Sequence, residues 1–271
     1  MQERFKVDAL ALAFGVKAVV GVLMLPLALW HGLPSSPAFY IGIVVMSVLW
    51  CMNDVLYFRA IPVVGAGVVS RLLPGTTVAS FFLWFLFDPA LIQTYIDRAW
   101  IGLGLVISVL GIGWSASRLS RCHVSRHAVR LLWPVLAIGC IGPIGAKLIL
   151  ENAGPAAGAP FVFGFCQSVT MFLMLGLYKV FKRPVPRREW YNADTLKACI
   201  LTGCVMGGQI ALSSLALLKT EHPSYVSALL FTDAIWIIVI YRMLGRREEA
   251  NVGAGLGIVA GAIALVILRS I

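Results

Sequence analysis

Two charged side chains, Arg71 and Asp233, lie deep inside apolar runs of the sequence. Arg71 lies within VVGAGVVSRLLPGTTVASFFLWFL (63–86) and Asp233 within SYVSALLFTDAIWIIVIYRML (224–244). At 1.5 Å per helical residue, Arg71 is roughly 13 Å into its run, near the middle of a bilayer. Ionisable groups at that depth are expensive and usually face a cavity or a partner. We expect an Arg71–Asp233 pair that either fastens two halves of the protein or binds a substrate or proton.

A second set combines Lys17 with Asp54 and the adjoining Asn53. Counted from the same end of their two runs, Lys17 and Asp54 reach a similar depth. The pattern predicts that they meet. Either the pair stabilises two helices near the inner interface, or Asp54 changes protonation or binds a cation.

Uncharged polar and aromatic residues give further candidates. Gln209 and Ser213 stand at i and i+4 in the run 195–217, so a helix places them on one side. They can hydrogen-bond a substrate or a neighbouring helix. Trp236 follows Asp233 by about one helical turn and can face the same cavity, although tryptophan in membrane proteins more often packs or anchors at the interface. Lys147 and Glu151 lie near the outer end of a predicted span, where we expect both side chains to extend to the membrane surface.

No pattern of residues predicts an enzyme. His123 and His127 have a metal-ligand spacing, but no glutamate of an HExxH motif lies between them, and arginines surround them. The sequence has no Walker loop, so we expect neither ATP hydrolysis, a cofactor nor a bound metal. The net charge of +10 comes from short loops at the ends of apolar runs, a placement that argues against nucleic-acid binding.

The elements that carry these residues are predicted to be membrane helices. Of the 271 residues, 60% are hydrophobic and 13% are charged, whereas a soluble domain carries roughly a quarter charged residues. Apolar runs of about 20 residues recur along the chain, each long enough to cross a bilayer. The sequence predicts an all-α, polytopic membrane protein with nine spans: 9–30, 38–59, 63–87, 99–117, 131–151, 159–180, 195–217, 224–243 and 252–269.

The basic residues predict the orientation of these spans. Alternate loops hold most of the lysines and arginines, with clusters at 118–130, 179–188 and 242–247. Cytoplasmic loops carry this excess in membrane proteins. We therefore expect a protein of the cytoplasmic (inner) membrane, with its N-terminus in the cytoplasm and its C-terminus outside.

The chain also contains an internal repeat. IGLGLVISVLGI (101–112) matches AGLGIVAGAIAL (254–265), and the segment 57–87 parallels 215–244 with Ser70 opposite Ser227. These matches divide the chain into a first repeat of four helices (1–120) and a second of five (121–271). The two copies are separated by five spans, an odd number, so they insert with opposite orientation. Inverted repeats of this kind are common in secondary transporters, which bind solutes at the repeat interface.

The order of these motifs resembles the EamA-type drug/metabolite transporter superfamily. The counterparts are YFRAI (57–61), Ser70 to Pro74 and the two GLG helices, with LALLK (215–219) and Ser227 in the second half. The resemblance implies a secondary transporter of a small organic solute or metabolite, working in the export direction. The chain departs from the family in two ways: its first half is predicted to have four helices where the family has five, as though the opening helix were missing, and the predicted orientation is opposite.

Two other classes of function remain open at this stage. One is a flippase, or flippase subunit, for a lipid or lipid-linked headgroup, in which Arg71 would contact an anionic group. The other is a membrane scaffold that transports nothing. We expect membrane lipids and a small-molecule substrate as partners, and a homodimer as a further assembly.

Overall fold

The chain folds into α-helices throughout the part that the computed structural model describes, which is residues 9–64, 69, 72–118, 126–154, 158–182, 192–232, 236 and 252–270. This confirms the predicted all-α class. The helices are α1 (Ala9–His31), α2 (Pro37–Val64), α3 (Gly75–Trp84), α4 (Ala90–Asp97), α5 (Ala99–Ser117), α6 (Arg126–Glu151), α7 (Ala159–Lys182), α8 (Ala193–Lys219), α9 (Pro223–Leu230) and α10 (Val252–Ser270).

Six of these helices are long and apolar enough to cross a membrane, namely α1, α2, α5, α6, α7 and α8. Inside a bilayer a helix satisfies its backbone hydrogen bonds within itself, so long apolar runs adopt this form. The protein is therefore a multi-pass membrane protein, as the sequence predicted. The predicted spans 63–87 and 224–243 lie partly outside the described residues, and the count of nine remains a prediction.

The boundaries of the helices differ from the prediction around residues 60–100. The sequence placed the end of the second span at residue 59, but α2 continues to Val64. A proline such as Pro62 removes only one backbone hydrogen bond, which a membrane helix tolerates. The third predicted span contains the short helix α3, and α4 is an additional helix that the sequence did not predict.

The chain divides into two compact units, each built from segments that are distant in the sequence. Unit 1 contains Met1–Arg59 and Gly145–Lys219, and unit 2 contains Ala60–Ile144 and Thr220–Ile271. Each unit takes residues from both predicted repeats. The repeats are defined by similar sequences, whereas the units are defined by which segments pack together. The units therefore do not test the division into 1–120 and 121–271, which stays a prediction.

Helix α1 packs between α7 and α8 in unit 1. Glycines lie at the contacts: a Cβ at Gly203 would come within 2.6 Å of Val19, and one at Gly164 would lie 3.4 Å from Met24. Small residues allow membrane helices to approach this closely. The buried side chains at the centre of these contacts are Leu12, Val16, Val20, Met24, Ala198 and Cys199.

Helices α5 and α10, which carry the two GLG motifs, pack against each other in unit 2. A Cβ at Gly104 would lie 2.8 Å from Leu268, and a Cβ at Gly257 would clash with the hydroxyl of Ser115. Residue numbers rise along one helix as they fall along the other, so the two helices run antiparallel. The contacts are also reciprocal, because the sequence match aligns Gly104 with Gly257 and, extended at the same offset, Ser115 with Leu268. Two elements related by a two-fold axis make contacts of this reciprocal kind.

Candidate functional site

The candidate site is an ion pair between α1 and α2 in unit 1. Lys17 Nζ lies 3.2 Å from Asp54 Oδ2, which confirms the predicted meeting of these two side chains. Lys17 is roughly 12 Å along α1 from Ala9, so the pair lies well inside the span. Lys17 is 5% exposed and Asp54 is 23% exposed.

The two charges compensate each other next to buried apolar side chains of α1. The side chains of Val16 and Val20, neighbours of Lys17 on α1, are buried. Removing a charge from water costs several kcal/mol even after relaxation, about as much as close pairing returns. The ammonium is almost enclosed, whereas the carboxylate keeps a partly open side. Asp54 is therefore the member of the pair that a proton or solute can reach more easily.

Two further polar atoms are buried on α2 and α7. Asn53 Oδ1 and Ser168 Oγ are both buried, and neither has a hydrogen-bond partner among the residues described. Ser168 lies on α7 against Gly21, where an added Cβ would be 4.0 Å from the serine Cβ. Gly21 follows Lys17 by one helical turn, on the same side of α1. Asn53 adjoins Asp54 in the sequence and Ser168 lies one turn of α1 from Lys17, and both oxygens can accept hydrogen bonds from a ligand or water.

The structure does not join the predicted polar residues of α8 to the pair. Gln209 is exposed. Ser213 is partly buried, and its hydroxyl donates to the carbonyl of Ile210 in the same helix at 3.1 Å. Ser214, the next residue, is 2% exposed. Their predicted contact with a substrate stays a prediction.

The remaining predicted site residues belong to the other apolar runs. Arg71 and Asp233 lie outside the described residues, so their predicted pairing is untested. Trp236 is helical and 64% exposed.

Lys147 forms a second buried contact, with the end of α8. We interpreted this lysine as extending to the membrane surface, and that interpretation is wrong: it is 5% exposed. Its Nζ lies 2.7 Å from Glu151 Oε1 and donates to the carbonyl of Leu217 at 3.4 Å. Leu217 is near the end of α8, where carbonyls lack partners within the helix. The signal in the sequence was the i, i+4 spacing of Lys147 and Glu151.

His222, just before α9, is also buried, at 0% exposure. Its Nδ1 accepts a hydrogen bond from the backbone N–H of Ser224 at 3.3 Å and caps α9. Its Nε2 lies 3.1 Å from the carbonyl of Phe81. Because Nδ1 accepts, the network assigns the proton to Nε2, which donates to Phe81. The ring stacks on Phe81 and Tyr225, so this histidine has a structural role.

Within the described ranges, no group of three or more His, Cys, Asp or Glu side chains could hold a metal ion. Compared with the Lys147–Glu151 pair, the Lys17–Asp54 pair is better enclosed, because Asp54 is 23% exposed and Glu151 is 48% exposed. No protein-family model matches the sequence, and no curated protein matches it either.

Proposed function

We propose that this protein is a secondary transporter that moves a small organic solute or metabolite across the cytoplasmic membrane by alternating access. The observation that carries the proposal is the Lys17–Asp54 pair, a neutral but highly polar group within the spans of unit 1. Ionisable residues at such depth usually mark substrate or ion pathways. Asn53, which adjoins Asp54, and Ser168, which lies near Gly21 one helical turn from Lys17, carry buried oxygens that add capacity to bind a polar ligand.

The antiparallel packing of α5 and α10 supports the proposed inverted repeats. Its reciprocal contacts, Gly104 with Leu268 and Gly257 with Ser115, follow the equivalence found in the sequence. Transporters built from inverted repeats alternate access by moving one group of helices against another. We propose the same architecture for the whole chain, with an EamA-like motif order and export as the direction.

The proposed orientation follows the basic loops, which place the N-terminus in the cytoplasm and the C-terminus outside. The Arg71–Asp233 pair is part of the proposal as a second polar element. Exchanging these two residues tests it: a structural pair keeps folding and flux after the exchange, whereas a direct role in binding keeps folding and loses flux.

The experiment that tests the function is solute flux in reconstituted vesicles. Radiolabelled amino acids, nucleosides, sugars and amines are loaded inside, and their exchange with external solute is measured. We expect flux of at least one class in the wild type, and loss of that flux in Asp54→Asn. The matched control is Glu151→Gln, which alters the other buried-lysine pair, and we expect its flux to be retained.

An apolar replacement, Lys17→Met with Asp54→Leu, separates binding from structural roles. If this double variant folds and still transports, the pair is structural and the argument from it fails. Absence of flux for every solute would contradict the transporter proposal. Lipid scrambling in the same vesicles would then indicate a flippase, and absence of both activities would indicate a scaffold.

A further inference from the structure

The chain passes between unit 1 and unit 2 at three places. One passage is inside α2, between Arg59 and Ala60, and one is inside α6, between Ile144 and Gly145. The third joins α8 to α9, between Lys219 and Thr220. Two of the three passages are thus continuous helices, so any movement of one unit against the other must bend or twist them.

The passage in α6 occurs at a helix position that is easy to bend. Pro143 lies within α6, immediately before the boundary. Its ring nitrogen has no hydrogen, so the carbonyl of Gly139 loses its partner in the helix. Gly142 and Gly145 flank the proline, and sharp kinks in helices occur at such residues.

Two side-chain contacts hold α6 on either side of this point. On the unit 2 side, the hydroxyl of Ser80 on α3 donates to the carbonyl of Cys140 at 2.6 Å. On the unit 1 side, Lys147 contacts the carbonyl of Leu217 on α8 at 3.4 Å. The segment 141–146 lies between these two attachments and contains Pro143.

Two contacts also bracket the passage between α8 and α9, and one of them is again Lys147–Leu217. Leu217, held by Lys147, precedes the passage, and His222, held by the carbonyl of Phe81, follows it. Phe81 is the residue after Ser80 on α3, so adjacent residues of one helix secure the unit 2 ends of both passages. The Lys147–Leu217 contact joins their unit 1 ends to each other.

We propose that segments 141–146 and 218–221, together with the passage in α2 between Arg59 and Ala60, form a hinge about which unit 1 and unit 2 move, with Pro143 as its principal bending point. The parts of α6 before Cys140 and after Lys147 move with unit 2 and unit 1, respectively. In the same way, α8 up to Leu217 moves with unit 1, and the chain from His222 onward moves with unit 2. The purpose of the hinge rests on the proposed transport function, because alternating access requires such a movement. Its existence can be tested without any solute.

The test measures the distribution of distances between spin labels on the two units by pulsed electron paramagnetic resonance. Labels are placed at exposed positions Leu173 on α7 in unit 1 and Leu103 on α5 in unit 2, in a cysteine-free background. Pro143→Ala restores the backbone donor and stiffens α6, so we expect a narrower distribution. Pro134→Ala is the matched control, because Pro134 also lies inside α6 but wholly within unit 2. We expect the control to match the wild type.

A second variant should make the hinge more flexible rather than stiffer. Ser80→Ala removes the attachment on the unit 2 side, lengthens the free segment and should broaden the distribution. In vesicles we expect Pro143→Ala to slow solute turnover several-fold, with solute binding unchanged. A Pro143→Ala distribution as wide as that of the wild type, or equal narrowing by Pro134→Ala, overturns the hinge.

These outcomes separate the hinge from the transport proposal. If the distribution narrows as expected and no solute crosses the membrane, the hinge stands and the proposed function fails. If solute crosses and Pro143→Ala leaves both turnover and the distribution unchanged, the function stands and the hinge fails.

Discussion

Neutralising Asp54 should destabilise the protein far more than neutralising Glu151, although each carboxylate pairs with a buried lysine. In Asp54→Asn the ammonium of Lys17, 5% exposed, loses its counter-ion. At the observed 3.2 Å and an effective dielectric constant of about 20, the lost attraction is about 5 kcal/mol. Removing one partner of a buried pair costs about 3–5 kcal/mol in proteins. Because Asp54 is 23% exposed, we expect the lower end, about 3 kcal/mol.

Glu151→Gln provides the matched comparison. Glu151 lies 2.7 Å from Lys147 but is 48% exposed. Water screens a pair of this kind, which typically contributes about 0–1 kcal/mol. Lys147 also keeps its contact with the carbonyl of Leu217. We therefore expect a loss of less than about 1 kcal/mol from Glu151→Gln.

Reversible unfolding in mixed detergent micelles, followed by circular dichroism, measures both losses. The double variant Lys17→Met with Asp54→Leu should recover most of the stability lost in Asp54→Asn, because it leaves no buried charge. Equal losses in Asp54→Asn and Glu151→Gln would refute the reasoning from burial. If the loss in the double variant equals the sum of the losses in Lys17→Met alone and Asp54→Leu alone, the two side chains do not interact.

Two further changes test the packing of unit 2 in the same unfolding assay. Gly261→Ala places a Cβ 2.6 Å from Ile112 Cγ1 and should lower the free energy of unfolding by about 1–3 kcal/mol. Its control is Gly111→Ala, whose Cβ meets nothing within 4 Å, so this change should be neutral or slightly stabilising. Equal effects of the two changes would contradict the close contact of α5 and α10. His222→Ala removes the cap of α9 and a fully buried ring, so we expect a loss of about 3 kcal/mol. The exposed His127 is the control, and His127→Ala should change stability by less than about 0.5 kcal/mol; a similar loss in both would contradict the structural role of His222.

The Lys17–Asp54 pair shows how far depth alone can predict a contact. The lengths of two adjacent apolar runs fix the depth of each charge, and two opposite charges at one depth in neighbouring helices meet to avoid isolation. The same reasoning failed for Lys147. Its position near a helix end suggested an outward-facing side chain, but the end of α8 lies beside it and offers a carbonyl.

The additional helix α4 and the extension of α2 to Val64 show a different limit. Helix ends depend on capping and on neighbouring packing, and a proline such as Pro62 weakens a helix without ending it. Polar breaks in the sequence therefore mark the approximate positions of loops rather than the residues where helices end.

The sequence by itself determined that this protein lies in a lipid bilayer and that it is helical. Both follow from local properties, since an apolar run of about 20 residues in a bilayer must satisfy its own backbone hydrogen bonds. The tertiary structure decided which segments share a unit. Met1–Arg59 packs with Gly145–Lys219 because glycines on α7 and α8 fit the side chains of α1. The tertiary structure also enclosed the ring of His222, and it enclosed Lys147, which we had expected to extend to the membrane surface. Such choices depend on surfaces that distant segments present to each other, and no local pattern encodes that match.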